Sequence, residues 1–159
     1  MTSAEQTKVT DFINQEIALM TALAELLQKE STALLDNEIS ALNQFTQEKS
    51  ILVNQVNELE KQRAMQLSAL GFANTLDGIA LFLDHAGDEV QASWQQLLKI
   101  TEQARENNRS NGLLINRRLQ QSQAGLDALQ QNNPAGNLYG PSGQSLTNSA
   151  LKGRGVKAG

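Results

Sequence analysis

Cysteine is absent from this sequence, and histidine occurs once, at His85. The first absence removes thiol nucleophiles, disulfides and thiolate metal sites together. The second argues against a histidine-built zinc or di-iron centre, because such centres draw on several imidazoles or thiolates. No metal and no cofactor is expected. Aromatic residues make up only 4% of the chain, and the two prolines, Pro134 and Pro141, both come late. Leu, Ala, Gln, Asn and Glu dominate instead, which favours helix over sheet. No apolar run approaches the roughly 20 residues of a membrane span. The longest candidate, GIALFLDHAG, is short and interrupted by Asp84. The start, MTSAEQTKVTDF, lacks a basic stretch followed by an apolar core, so no signal peptide is expected. The expectation is a soluble, cytoplasmic protein with no membrane insertion.

Chemistry-bearing motifs are missing as well. LKGRGVK has neither the spacing of a phosphate loop nor a helix after it, and LYGPSGQ lacks the strand–turn–helix setting of a nucleophile elbow. Carboxylates are plentiful but read as solvated on helix faces, with no desolvated pair. The chain therefore does not read as an enzyme. Lys152, Arg154 and Lys157 form a weak nucleic-acid footprint without interleaved aromatics, and a pI near 5.0 opposes it. No nucleic acid is expected as a partner.

What remains is helix. Val9, Ile13, Ile17, Met20, Leu23, Leu27 and Leu34 recur at three-and-four spacing and predict a helix over about 5–34 with a wide apolar stripe. Asp36 and Asn37 interrupt it as candidate N-caps of a second helix, about 38–70. So short a connection predicts antiparallel neighbours. The second stripe is Leu42, Phe45, Leu52, Val56, Leu59 and Leu67, with Lys49 and Arg63 at seam positions. Their stems are expected to be buried and their charged heads to reach water. Gly71 suits a C-cap, Asn74 or Thr75 an N-cap for a short apolar helix at 79–83, and Gly87 with Asp88 marks a further start. His85 reads as an end-of-helix polar residue, with a proton switch as the sharper alternative.

From Val90 the steps become strictly four-three: Val90, Trp94, Leu97, Thr101, Ala104, Asn108, Asn111, Ile115, Arg118, Ser122, Gly125 and Leu129. The run NNRSNG thus places two asparagines on the seam of a helix predicted over about 89–131. Polar seam residues specify register at a cost in stability. Beyond them the seam is weakly apolar, while Leu113, Leu114, Leu119 and Leu126 lie on neighbouring faces. Burying three or four of these side chains is worth about 6–10 kcal/mol gross, enough to bind a partner's helix in the micromolar range after ordering costs. Equally, the same face would serve to pack on the first two helices. Residues 132–159 are rich in Gly, Pro, Ser and Asn, and a flexible basic tail is expected there. Charge follows the same division: residues 1–104 hold 6 Lys/Arg and 15 Asp/Glu, net −9, and residues 105–159 hold 7 and 2, net +5.

At NNRSNGLLINRRLQQSQAGLDAL, followed by NLYGPSGQS and a short basic tail, the sequence resembles the FlgN family of flagellar export chaperones. FTQEKSILVNQVNELEKQRA is similar to that family's second helix. The segment GFANTLDGIALFLDHAGD is longer than the family pattern leads one to expect. The resemblance implies an all-α protein: long antiparallel coiled-coil-like helices in an elongated bundle, residues 1–131, with a disordered tail over 132–159. It implies a non-catalytic cytoplasmic chaperone that binds the C-terminal amphipathic helices of hook–filament junction proteins. Such a chaperone would prevent their premature assembly and deliver them to the type III export gate. Carried over by motif, the partner-binding residues are Asn111, Leu114, Ile115, Leu119, Leu126 and Leu129. The Leu138-Tyr139-Gly140 motif is the expected export-gate contact. Components of the export ATPase complex and weak homo-oligomerisation are secondary expectations. Asn107, Asn108, Asn111 and Gly112 are expected to weaken the last helix, so that residues beyond about 111 detach or fold only on cargo. The competing reading is a coiled-coil structural or assembly protein that self-associates through its long helices.

Overall fold

The computed structural model describes residues 1–131 as four helices, with no strand among them. They are α1 (Ser3–Asp36), α2 (Ile39–Ala69), α3 (Leu76–Ala86) and α4 (Asp88–Gln130). The tail at 132–159, including the predicted Leu138-Tyr139-Gly140 contact, lies outside the described residues.

Local chemistry accounts for the boundaries. Thr2 and Glu5 form a capping box at the start of α1, each side chain receiving the other's backbone N–H. The Thr2 N–H, bonded to the Glu5 carboxylate, holds its pKa below the usual 4.5. At the other end, Asn37 adopts the left-handed conformation at φ 62°, and the N–H of Glu38 returns to the Ala33 carbonyl at 3.0 Å. Asn37 therefore closes α1 instead of capping α2, whose N-cap residue, Glu38, makes no side-chain capping bond. Asparagine tolerates this conformation because its short polar side chain offsets the Cβ penalty locally.

The end of α2 is a Schellman turn. Gly71, at φ 88°, donates to Ser68 O at 3.0 Å, and Phe72 donates to Leu67 O at 2.9 Å. Thr75 caps α3 by accepting the Gly78 N–H at 3.1 Å. Gly78 is needed for space: a Cβ there would lie 1.9 Å from the Ala73 carbonyl oxygen. The short helix is longer than predicted, Leu76–Ala86, and ends at Gly87, φ 94°. His85 lies exposed in its last turn, with Nδ1 2.7 Å from Leu81 O and its ring against Phe72.

Two ion pairs fix how α2 lies on α1. Glu30 meets Lys49 at 2.8 Å, and Glu16 meets Arg63 at 2.7 Å. One partner rises as the other falls, so the two helices are antiparallel, as the short turn predicted. All four side chains are buried, which corrects two expectations. The charged heads of Lys49 and Arg63 do not reach water, and two of the carboxylates are desolvated. Three hydrogen bonds, one at the end of α3 just ahead of α4 and two on α4 itself, set α4 on the opposite course. Gln6 donates to Ala86 O, Asn111 to Leu27 O and Arg118 to the Asn37 side chain. Both members rise together along the chain, so α4 runs parallel to α1. One hydrophobic core joins all four helices, from Val9, Ile13 and Met20 through Val53 and Val56 to Phe82, Val90, Trp94 and Leu97.

Candidate functional site

The four-three seam of α4 is buried for its first seven positions: Val90, Trp94, Leu97, Thr101, Ala104, Asn108 and Asn111. The helix passes through the NNRSNG run unbroken. Asn111 shows how that run is accommodated. Its amide donates to Leu27 O at 2.8 Å and to Glu30 Oε1 at 3.0 Å, and the same Glu30 holds Lys49. One residue from each long helix thus meets in a single buried polar layer. Lower in the bundle, Arg63 pairs with Glu16 and places its guanidinium carbon 4.9 Å above the Trp94 ring. The accommodation is incomplete, because Asn107 Nδ2 and Asn116 Oδ1 are buried without a hydrogen-bond partner.

Past Asn111 the seam loses its cover. Ile115 and Arg118 are half-buried, whereas Ser122, Gly125 and Leu129 are exposed. The cause is length. At 1.5 Å per residue, the 43 residues of α4 run about 65 Å and the 34 of α1 about 51 Å. Arg118 reaches Asn37 at the very end of α1. The residues from Leu119 to Gln130 therefore extend beyond the α1–α2 turn, a projection of about 18 Å.

The predicted partner-binding residues divide accordingly. Asn111 faces α1 and is spent on the core. Leu114, Ile115 and Leu126 are half-buried, and Leu119 and Leu129 are exposed at 39% and 67%. Leu113, on an adjacent face, is 54% exposed. Ile115, Leu119, Ser122, Leu126 and Leu129 share one stripe at four-three spacing, turned from the Asn111 direction by roughly 40° at 100° per residue. The two consecutive four-residue steps, Asn111 to Ile115 to Leu119, make a stutter that widens the apolar stripe to one side, with Leu119 and Leu126 beside the seam positions Ile115, Ser122 and Leu129.

Electrostatics separates the cations along α4. Arg105 bonds Glu102 at 3.2 Å and Arg109 bonds Glu106 at 2.8 Å, both on the solvated surface. The Arg109 hydrogen bond holds the Glu106 carboxyl below its usual pKa and raises that of Arg109 in turn. Arg118 donates to the neutral Asn37 side chain. Among the described residues no group of three or more His, Asp or Glu side chains is arranged to hold a metal ion, and no helix is long and apolar enough to cross a membrane. What this region offers chemically is apolar helical surface. Leu35 and Ile39, on either side of the α1–α2 turn, are exposed beside it and escape prediction by periodicity. Their only signal in the sequence is two apolar residues bracketing a polar turn.

The model of the family described as FlgN protein matches residues 1–147. The chain is 26% identical over 141 residues to the Flagella synthesis protein FlgN of Salmonella typhimurium, covering 87% of this chain and 91% of that protein. The Flagella synthesis protein FlgN of Escherichia coli K12 is 26% identical over 143 residues, covering 89% and 92%. That of Proteus mirabilis is 24% identical over 147 residues, covering 91% and 94%. No solved structure matches the chain. The family match spans all four helices and both polar layers: this chain belongs to the FlgN family.

Proposed function

We propose that this protein is a cytoplasmic, non-catalytic export chaperone of the flagellar type III apparatus. It binds the C-terminal amphipathic helices of hook–filament junction proteins along the projecting end of α4. Names of relatives support a role in flagellar synthesis. The observation that carries the chaperone reading is the apolar stripe on α4 beyond the end of α1, with Leu119 and Leu129 exposed and Leu126 half-buried. An apolar helical face left uncovered in water is a cost to the isolated protein, recovered when another helix covers it. A filament-forming helix covered in this way is withheld from premature assembly. Release remains possible because the contact is short: a few Leu and Ile side chains give micromolar affinity after ordering costs. The Leu138-Tyr139-Gly140 motif, outside the described residues, is the proposed contact to the export gate.

Co-purification with C-terminal segments of candidate junction proteins tests the reading, wild type beside the Leu126→Ala, Leu129→Ala variant. Recovery should fall by about tenfold or more. Equal recovery by both proteins removes this cargo site. If instead the wild type sediments as a stable oligomer that the double variant dissolves, the projecting helices serve self-association, the competing reading.

A further inference from the structure

The projecting stripe of α4 does not stand alone. Leu35, in the last turn of α1, is 67% exposed, and Ile39, the first residue of α2, is 66% exposed. Leu35 follows Ile17 by five full turns and Ala24 by about three, so it continues an α1 line whose earlier members pack against the core. At its height the line has lost its cover. Asn37, between the two apolar residues, holds Arg118, and Leu119 is the next residue of α4. The hydrogen bond from Arg118 to Asn37 ties the α1–α2 turn to the base of the projection, so the turn stands at one end of the stripe from Ile115 to Leu129.

Resting on the reading above, we propose that Leu35 and Ile39 form the end wall of the partner site, against which the bound helix abuts as a continuation of the α1 column. The four-three spacing of Ile115, Leu119, Ser122, Leu126 and Leu129 continues the kind of interface that α1 and α4 already share, so the occupant is a helix. Charge sets its direction. The C-terminus of α1 and the N-terminus of α2 meet in the end wall with opposing dipoles, and its exposed side-chain charges are the carboxylates of Asp36 and Glu38. The complementary group is a helix N-terminus, whose unsatisfied N–H groups are its positive end. The partner helix therefore runs parallel to α4, its N-terminal end on the turn. Over the 12 residues from Leu119 to Gln130 it gains about three turns of contact.

The test uses synthetic peptides of the same junction-protein C-terminal segments with the full-length chain. Three proteins are compared: wild type, Leu35→Ser with Ile39→Ser, and Leu126→Ala with Leu129→Ala. Both tip residues are exposed, so the tip variant should keep the wild-type urea midpoint while binding peptide about tenfold more weakly. Because the chain has no cysteine, Asn43→Cys, at an exposed position of α2 one turn beyond the wall, takes a single fluorophore, and energy transfer should be stronger to a peptide labelled at its N-terminal end than at its C-terminal end. Wild-type affinity in the tip variant, beside lost affinity in the α4 variant, overturns the end wall and leaves the proposed function standing. Stronger transfer to the C-terminal label overturns the stated direction and with it the proposal. No binding of any segment by wild type removes both the wall and the function. A wild-type dimer that the tip variant abolishes makes a second copy the occupant and overturns the proposal.

Discussion

Glu16 and Glu30 lie two heptads apart on α1, and Lys49 and Arg63 lie two heptads apart on α2. In the observed antiparallel register, both pairs close at once. A slip of one heptad would set Glu16 against Val56 and Lys49 against Leu23, stranding ions in the apolar core. Buried pairs add little net stability, but each half is costly without the other. Glu30→Ala, which also strips Asn111 and Lys49 of a partner, should lower stability by about 3–5 kcal/mol. Urea denaturation of the variant beside wild type measures this. The joint change Glu30→Leu, Lys49→Met should recover most of the loss, and a failure to recover would locate the cost at Asn111. At the chain's start, the depressed pKa of Glu5 gives a pH prediction. A carboxyl whose folded pKa lies below its unfolded value stabilises above the unfolded pKa, and that contribution fades as pH falls through the folded one. Protection of the first-turn amides of α1, measured as exchange relative to the unfolded-chain rate at the same pH, should therefore fall below the usual carboxylate pKa of 4.5, and Glu5→Gln should remove that acid-dependent step.

Among the elements, α3 and the end of α4 behave oppositely. α3 is held by Thr75, by the space that Gly78 leaves for the Ala73 carbonyl, and by Phe82 and Leu83 in the core. Gly78→Ala forces backbone to move and should cost about 1–3 kcal/mol, read as a lowered melting temperature. The end of α4 has no comparable support. Amides from Leu119 to Gln130 should exchange much faster than those from Trp94 to Asn111, since local opening there exposes almost no buried apolar surface. Equal protection would contradict a partner-free projection. The boundary also differs from the sequence expectation. The sequence predicts detachment beyond about residue 111, yet Asn111 bonds two residues of α1 and Arg118 still reaches Asn37. Cover ends near residue 118, because α1 ends there.

Across the whole molecule, the two ends of α4 differ in burial: its first part is packed in the bundle and its last part, the proposed partner site, is largely uncovered. Leu119→Ser with Leu129→Ser should change the urea midpoint by no more than about 0.5 kcal/mol equivalent, while cargo recovery falls. A large loss of stability would mean that these leucines already have an internal mate. A chain ending at residue 118 should likewise fold as the full chain does but fail to retain cargo. Retained cargo would move the site back into the bundle.

Helical periodicity was enough to read four helices, the short α1–α2 turn and which residues of α4 share its seam, because side chains at three-and-four spacing must share a face whatever that face meets. Family membership was legible only as a resemblance, carried by the residues around NNRSNG and FTQEKS, and the family match over residues 1–147 shows it. Polar residues on a seam could not be assigned by spacing alone. Lys49 and Arg63 looked like snorkelling cations until α1 supplied Glu30 and Glu16 across the core, and Asn111 looked like a partner contact until Glu30 claimed it. The uncovered stripe, too, was decided only in three dimensions. Whether a leucine is core or docking surface depends on where the neighbouring helix stops, and that is a relation between α1 and α4 that neither segment encodes by itself.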